Sequence, residues 1–192
     1  MEKASRFAVS LRHLPTQFIL RIASFIFLWG VGALLHFAYH WSSQNLLIGM
    51  FGCVNESVWE HLKMVFWPWV FWSLGEYSVC KTQIHNFILG KIAQVTLSCF
   101  FVIAVFYSYT FFTQKSIFAV DILTFSSAIA LGQLADIKAR RIKLTPDYYW
   151  NTAMVCIVAL VCTAFMTFTF DPPRTAFFQD PVTGSYGVTL KR

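Results

Sequence analysis

Charge is scarce in this chain. Only 12% of its 192 residues are Asp, Glu, Lys or Arg, about half the share found in an ordinary soluble domain. With 57% hydrophobic residues and a mean hydropathy of +0.57, a water-soluble globule of this size is excluded and a lipid solvent is required. The five cysteines form neither a CxxC motif nor a disulfide framework. Cys99, Cys156 and Cys162 lie inside apolar runs, and the topology below puts Cys53 and Cys80 on opposite sides of the membrane. No Gly-x-Ser-x-Gly nucleophile motif occurs, and no internal repeat is visible. The formal charge of +6 does not indicate nucleic acid, because the basic residues are scattered between apolar runs instead of forming a stripe with exposed aromatics.

What is present is a succession of long apolar runs. Ile19 to Tyr39, Val58 to Tyr77, Phe87 to Phe112, Ile117 to Ala135 and Trp150 to Phe170 are each long enough to cross a bilayer. The expected fold is therefore all-α, a polytopic transmembrane helix bundle of about five spans. The second run is the least regular, since it holds Lys63 and Pro68 and is dense in Trp, which predicts a kinked, tilted or partly interfacial helix. The stretch that follows Lys3, Arg6 and Arg12 is too long for a signal peptide, so it reads as a retained first span.

Basic residues near span ends stay on the cytoplasmic side. An inside N-terminus puts Lys3, Arg6, Arg12, Arg21, Lys81, Lys91, Lys138, Arg140, Arg141 and Lys143 on that side, and only Lys63, Lys115, Arg174, Lys191 and Arg192 on the other. The expected orientation is N-in and C-out. It gives a cytoplasmic segment over 1–18, a bundle over 19–170 and an extracytoplasmic tail over 171–192. The tail is rich in turn chemistry, with Asp171-Pro-Pro and Asp180-Pro-Val-Thr-Gly184. It is either a disordered end or a cap folded over the helix ends. Tyr39, Trp41, Trp59, Tyr107, Tyr109, Tyr148, Tyr149 and Trp150 fall where span ends meet headgroups, as anchors do. On the inner side, Glu76 and Asp136 are expected to pair with Lys81 and with the cluster from Lys138 to Lys143, which faces anionic lipid.

Under this topology the unusual side chains converge on the outer boundary, where ionisable groups must be paired, hydrated or used. His36 and His40 are four residues apart and share one helical face, a spacing that can hold a divalent metal such as zinc. Just beyond a short loop comes Asn55-Glu56-Ser57-Val58-Trp59-Glu60-His61-Leu62-Lys63. Asn55 suits an N-cap, Ser57 and Glu60 fit a capping box, and Glu56 and Glu60 are spaced to pair with Lys63. Capping alone does not account for His61. Glu56 and Glu60 are expected to share a face while His61 points about 100° further round. The division expected has His36, His40 and one carboxylate as metal ligands, with the other carboxylate or His61 as general base. Asp121, near the start of the fourth span, either completes the site or caps its helix. The candidates are therefore Glu56, Glu60 and His61 for catalysis and His36, His40 and Asp121 for metal. Asn45, Asn55, Lys63 and Asp180 supply further polar groups.

Three stretches stand in order along the chain: His36-Phe-x-Tyr39-x-Trp41-Ser42 followed by Asn45, then Val54-Asn55-Glu56-Ser57-x-Trp59-Glu60-His61-Leu62-Lys63, then Asp180-Pro-x-Thr-Gly184-x-Tyr186-Gly187. On these residues the chain resembles a family of small, uncharacterised polytopic membrane proteins known mainly from bacteria. The resemblance implies a multi-pass protein of a bacterial inner or plasma membrane, emphasises His36 over His40, and brings no activity with it. A looser similarity is to membrane hydrolases of the alkaline ceramidase type, which hold zinc with intramembrane histidines and acids. Those have more spans and a paired histidine motif in a late helix, where Trp150 to Phe170 has no histidine.

Three function classes follow. One is a metal-assisted hydrolase or transferase acting on a lipid-like substrate at the outer headgroups. Another is a carrier for a small solute or ion, with Gln94, Ser98, Ser126, Ser127 and Gln133 as a thin polar path. The last is an accessory or assembly subunit that presents its aromatic surface to other membrane subunits.

Overall fold

A computed structural model of the protein describes residues 2–80, 86–142 and 148–188, with the side chains of 2–17, Cys80 and Tyr148 left aside. The described residues form helices α1 (Glu2–Trp41), α2 (Leu46–Gly49), α3 (Val58–Cys80), α4 (Phe87–Thr113), α5 (Phe118–Arg140) and α6 (Tyr148–Thr167). Lys81, Lys143, Lys191 and Arg192 lie outside the described residues.

Among the described residues, four segments are long and apolar enough to cross a membrane: Phe18–Trp41 within α1, then α4, α5 and Tyr149–Thr167 of α6. Their most apolar windows are only 6% to 28% buried. The apolar side chains thus face outward, the arrangement expected of helices that are hydrophobic all round and solvated by lipid. The second predicted run, α3, is of comparable length but is diluted by Glu60, Lys63, Glu76, Pro68 and its tryptophans. It forms the centre of the bundle. Leu62, Val65, Phe66, Trp67 and Trp69 are all buried, and most of them pack with Leu28 of α1, Val95 of α4, Ile129 of α5 and Phe165 of α6.

Small residues allow the helices to approach closely. A Cβ on Gly132 of α5 would stand 2.1 Å from Ser98 Oγ of α4, and one on Gly32 of α1 would stand 2.5 Å from the Met64 carbonyl oxygen of α3. Ser98 then donates to the Ala128 carbonyl at 2.8 Å, closing the α4/α5 hairpin with a hydrogen bond inside the apolar layer.

The predicted aromatic belt divides in two. Trp41, Tyr107, Tyr149 and Trp150 are exposed, as anchors must be. Tyr39 is buried against Gly49, and Trp59 stacks on Phe165 at 4.4 Å and packs against Phe168, Phe177 and Phe178. Those two rings fasten the 42–57 loop and the chain after α6 to the bundle. Residues 171–188 are folded onto it: the Trp59 amide donates to the Phe177 carbonyl at 3.2 Å and the Val188 amide to the Thr169 carbonyl at 2.9 Å.

At one end of the bundle lies a buried charge network. Asp136 of α5 accepts from Arg21 of α1 and from Arg140 Nε at 2.5 Å, while Glu76 of α3 accepts from Arg140 at 2.9 Å and Lys91 Nζ of α4 at 2.7 Å. The pairing expected for Glu76 and Asp136 thus takes Arg140 from the basic cluster and adds Arg21 and Lys91, two cations the sequence leaves inside apolar runs.

Candidate functional site

The opposite end gathers the polar residues of the 36–63 stretch. Helix α1 ends at Trp41, and the chain turns through Ser43 and Gln44, both in the left-handed region. The single turn α2 follows, capped by Asn45, whose Oδ1 accepts from the Leu47 amide at 2.9 Å and the Ile48 amide at 3.4 Å. The Cys53 amide returns to the Leu35 carbonyl of α1 at 3.1 Å. That return lays the start of α3 beside the end of α1 and brings His36 and His61 together, with ring centroids 5.2 Å apart.

Two separate clusters form there. The first is structural. Lys63 Nζ reaches Glu60 Oε2 at 2.7 Å, the Gly49 carbonyl at 2.9 Å, the Gly52 carbonyl at 3.3 Å and Thr169 Oγ1 at 2.6 Å. Glu60 Oε2 also accepts from the Val54 amide at 3.0 Å. Both side chains are essentially fully buried. The capping box is therefore half formed: Ser57 Oγ accepts from the Glu60 amide at 3.3 Å, but the Glu60 carboxylate serves Lys63 and the loop instead of reaching back to Ser57. The same fold buries Cys53, whose Sγ donates to the Glu60 carbonyl at 3.1 Å. Burial, reinforced by the charge of Glu60, pushes the Cys53 thiol well above its ordinary value.

The second cluster is His36, Glu56 and His61, each offering a ligand atom within 4.8 Å of the other two. Glu56 precedes α3 instead of lying on it, so its side chain is free of the helical face it would share with Glu60 and turns toward His61. The edge between His61 Nε2 and Glu56 Oε2 is 3.5 Å. Ligand atoms around a tetrahedral ion with bonds of about 2.0–2.1 Å stand about 3.3 Å apart, so that edge is already of the right length. The other edges are within 4.8 Å, so closing them takes a shift of at most about 1.5 Å by the same geometry. His61 Nδ1 stands 2.9 Å from the Ser57 carbonyl. A carbonyl there accepts from Nδ1–H, so that in the neutral imidazole the Nε2 lone pair faces Glu56, the outer-layer arrangement that orients metal-binding histidines. His36 Nδ1 is buried without a hydrogen-bond partner among the described residues. Glu56 and His61 are part-exposed, with side chains 49% and 34% accessible, so the cluster is open to a further ligand from outside.

The remaining candidates lie apart from this trio. His40, one turn beyond His36, is exposed, with its ring edge on Tyr39. Asp121 accepts a hydrogen bond from Tyr109, which ties the end of α4 to the start of α5. Asp180 organises the tail: its carboxylate accepts from the Val182 amide at 2.8 Å and from Thr183 Oγ1 at 2.8 Å. Asn55 bridges segments far apart in the chain. Its Oδ1 accepts from the Ser57 amide at 2.9 Å and its Nδ2 donates to the Gly187 carbonyl at 3.1 Å. Thr169 carries no signal in the sequence, because a lone hydroxyl residue in an apolar run does not reveal the partner it will meet, and Ser57 is legible only as a capping-box residue.

These features define a multi-pass helical membrane protein whose polar end holds a buried Lys–Glu anchor beside a half-open His/Glu/His cluster. Over residues 10–188 the sequence matches the family of unknown function DUF6512, and the chain belongs to that family. No curated protein and no solved structure matches it.

Proposed function

We propose that the protein is a metal-dependent membrane enzyme, a hydrolase or transferase acting on a lipid-like substrate at the extracytoplasmic headgroup layer, with His36, Glu56 and His61 as the metal ligands. The observation that carries this reading is the convergence of those three side chains from α1, from the approach to α3 and from its first turn. Two imidazoles and one carboxylate are a ligand set of catalytic zinc, and a divalent ion so held would polarise an ester or phosphoryl oxygen and acidify water. Exposed Phe37 and Trp41, stacked at 5.5 Å on the same helix end, give an amphipathic substrate an apolar surface to lie on. Glu60, locked to Lys63, holds the loop that carries Glu56 and is not free to move a proton.

The carrier reading has less support. Gln94 and Ser98 of the thin polar path line a cavity of about 10 Å³, room for about one water molecule.

Metal analysis of the purified protein, combined with hydrolysis assays on a panel of glycerolipids and sphingolipids, tests the proposal. The expected result is one zinc-type ion per chain, lost in His61→Ala and weakened in Glu56→Gln together with any lipid turnover. A metal-free wild type, with function unaffected in both variants, would sink it.

A further inference from the structure

The Asp180 to Gly187 stretch plays no part in the chemistry proposed above, yet it ends against the loop that carries Glu56. The tail is a tight hairpin: the Asp180 amide donates to the Ser185 carbonyl at 2.9 Å, the Gly184 amide to the Asp180 carbonyl at 2.8 Å, and Gln179 faces Tyr186 across an antiparallel bridge. The hairpin delivers Gly187 to a position that only glycine fits. Its φ is +58°, and a Cβ would stand 2.7 Å from the Thr169 carbonyl oxygen and 2.9 Å from Pro172 Cδ. Thr169 is the residue whose hydroxyl accepts from Lys63, so the tail is seated on the buried anchor. From that seat the Gly187 carbonyl accepts from Asn55, Asn55 accepts from the Ser57 amide, and the Ser57 carbonyl holds His61. Glu56 lies between the two clamped residues.

We infer that the tail positions the metal site: the bond from Asn55 to the Gly187 carbonyl fixes the backbone that aims both Glu56 and His61, so that Asn55 and Gly187 are positioning residues for the metal. This inference rests on the reading of His36, Glu56 and His61 as ligands. The chain of contacts is an outer layer in the physical sense. It touches no ligand atom of Glu56, yet it determines where that atom can be, and loss of such support commonly weakens metal binding by about 10- to 100-fold.

The test is a Co²⁺ titration of the full-length protein in detergent micelles, reading affinity and the visible ligand-field spectrum in wild type, Asn55→Ser, Gly187→Ala and His61→Ala. Serine still offers an oxygen to the Ser57 amide but is too short to reach Gly187, so Asn55→Ser removes the tail link with least disturbance of the cap. The expected result is binding weakened roughly 10- to 100-fold in Asn55→Ser and Gly187→Ala, with a spectrum shifted toward weaker, higher-coordinate bands as Glu56 is lost. A role confined to stability would lower the melting temperature and leave the bands of the bound fraction unchanged, and that outcome overturns the inference. Wild-type affinity and spectrum in Asn55→Ser overturn it too, while leaving the metal reading intact, and this holds even if Gly187→Ala fails to fold. A wild type that binds no Co²⁺ removes both.

Discussion

Replacing Lys63 with methionine probes the anchor on which the polar end is built. The ammonium has three N–H donors and four acceptors within 3.3 Å, so one donor is shared. Methionine fills much of the same volume but donates nothing. It leaves the Glu60 carboxylate, 2% exposed, with the Val54 amide as its remaining partner on Oε2. Breaking a buried ion pair by removing one member costs about 3–5 kcal/mol, well beyond the roughly 0.5 kcal/mol of an ordinary surface change. Neutralising the stranded partner must then help. Glu60→Gln added to Lys63→Met is expected to recover stability, with a coupling energy of about 0.5–3 kcal/mol. The assay is reversible unfolding in mixed micelles, followed by helical circular dichroism for wild type, both single variants and the double. A Lys63→Met variant within about 0.5 kcal/mol of wild type, or a double variant losing the plain sum of the singles, would refute the account of Lys63 and Glu60 as an interdependent pair.

Asp136→Asn removes one of two carboxylates facing Arg21, Lys91 and Arg140, leaving Glu76 to balance three cations. The same unfolding assay is expected to show a loss of about 3–5 kcal/mol, and a change near zero would mean that water screens the network. Cys53 is buried, and its thiol is pushed upward. A raised value lowers the thiolate fraction at any given pH, and the thiolate is the nucleophile. Cys53 should therefore resist iodoacetamide at pH 8 in the folded protein and react once the 42–57 loop is unfolded, with mass spectrometry reporting the site. Rapid labelling in the native state would contradict the packing described.

The helical membrane class was legible in the sequence because it depends on totals. Long apolar runs and sparse charge leave the backbone no option in lipid except to satisfy itself within helices. The location of the polar end was legible for a related reason, since imidazoles and carboxylates flanking a short connection must come near each other. The division of labour among them was not legible. Glu56 and Glu60 are four residues apart, and helical periodicity would place them on one face. The helix begins after Glu56, so Glu60 turns inward to Lys63 while Glu56 turns to His61. Tyr39 and Trp59 carry the composition of interfacial anchors, yet packing buries Tyr39 and half-buries Trp59 against Phe165.

By itself, the sequence determined what kind of solvent surrounds this protein and which residue types meet at the His36 end, because hydropathy and short-loop geometry are local properties. Only the tertiary structure decided which carboxylate pairs with the lysine and which faces the histidines. It also decided that Thr169 and Gly187, more than a hundred residues downstream, complete the polar end. Those outcomes depend on contacts between distant segments, where burial makes each unpaired charge costly enough to select one partner over another.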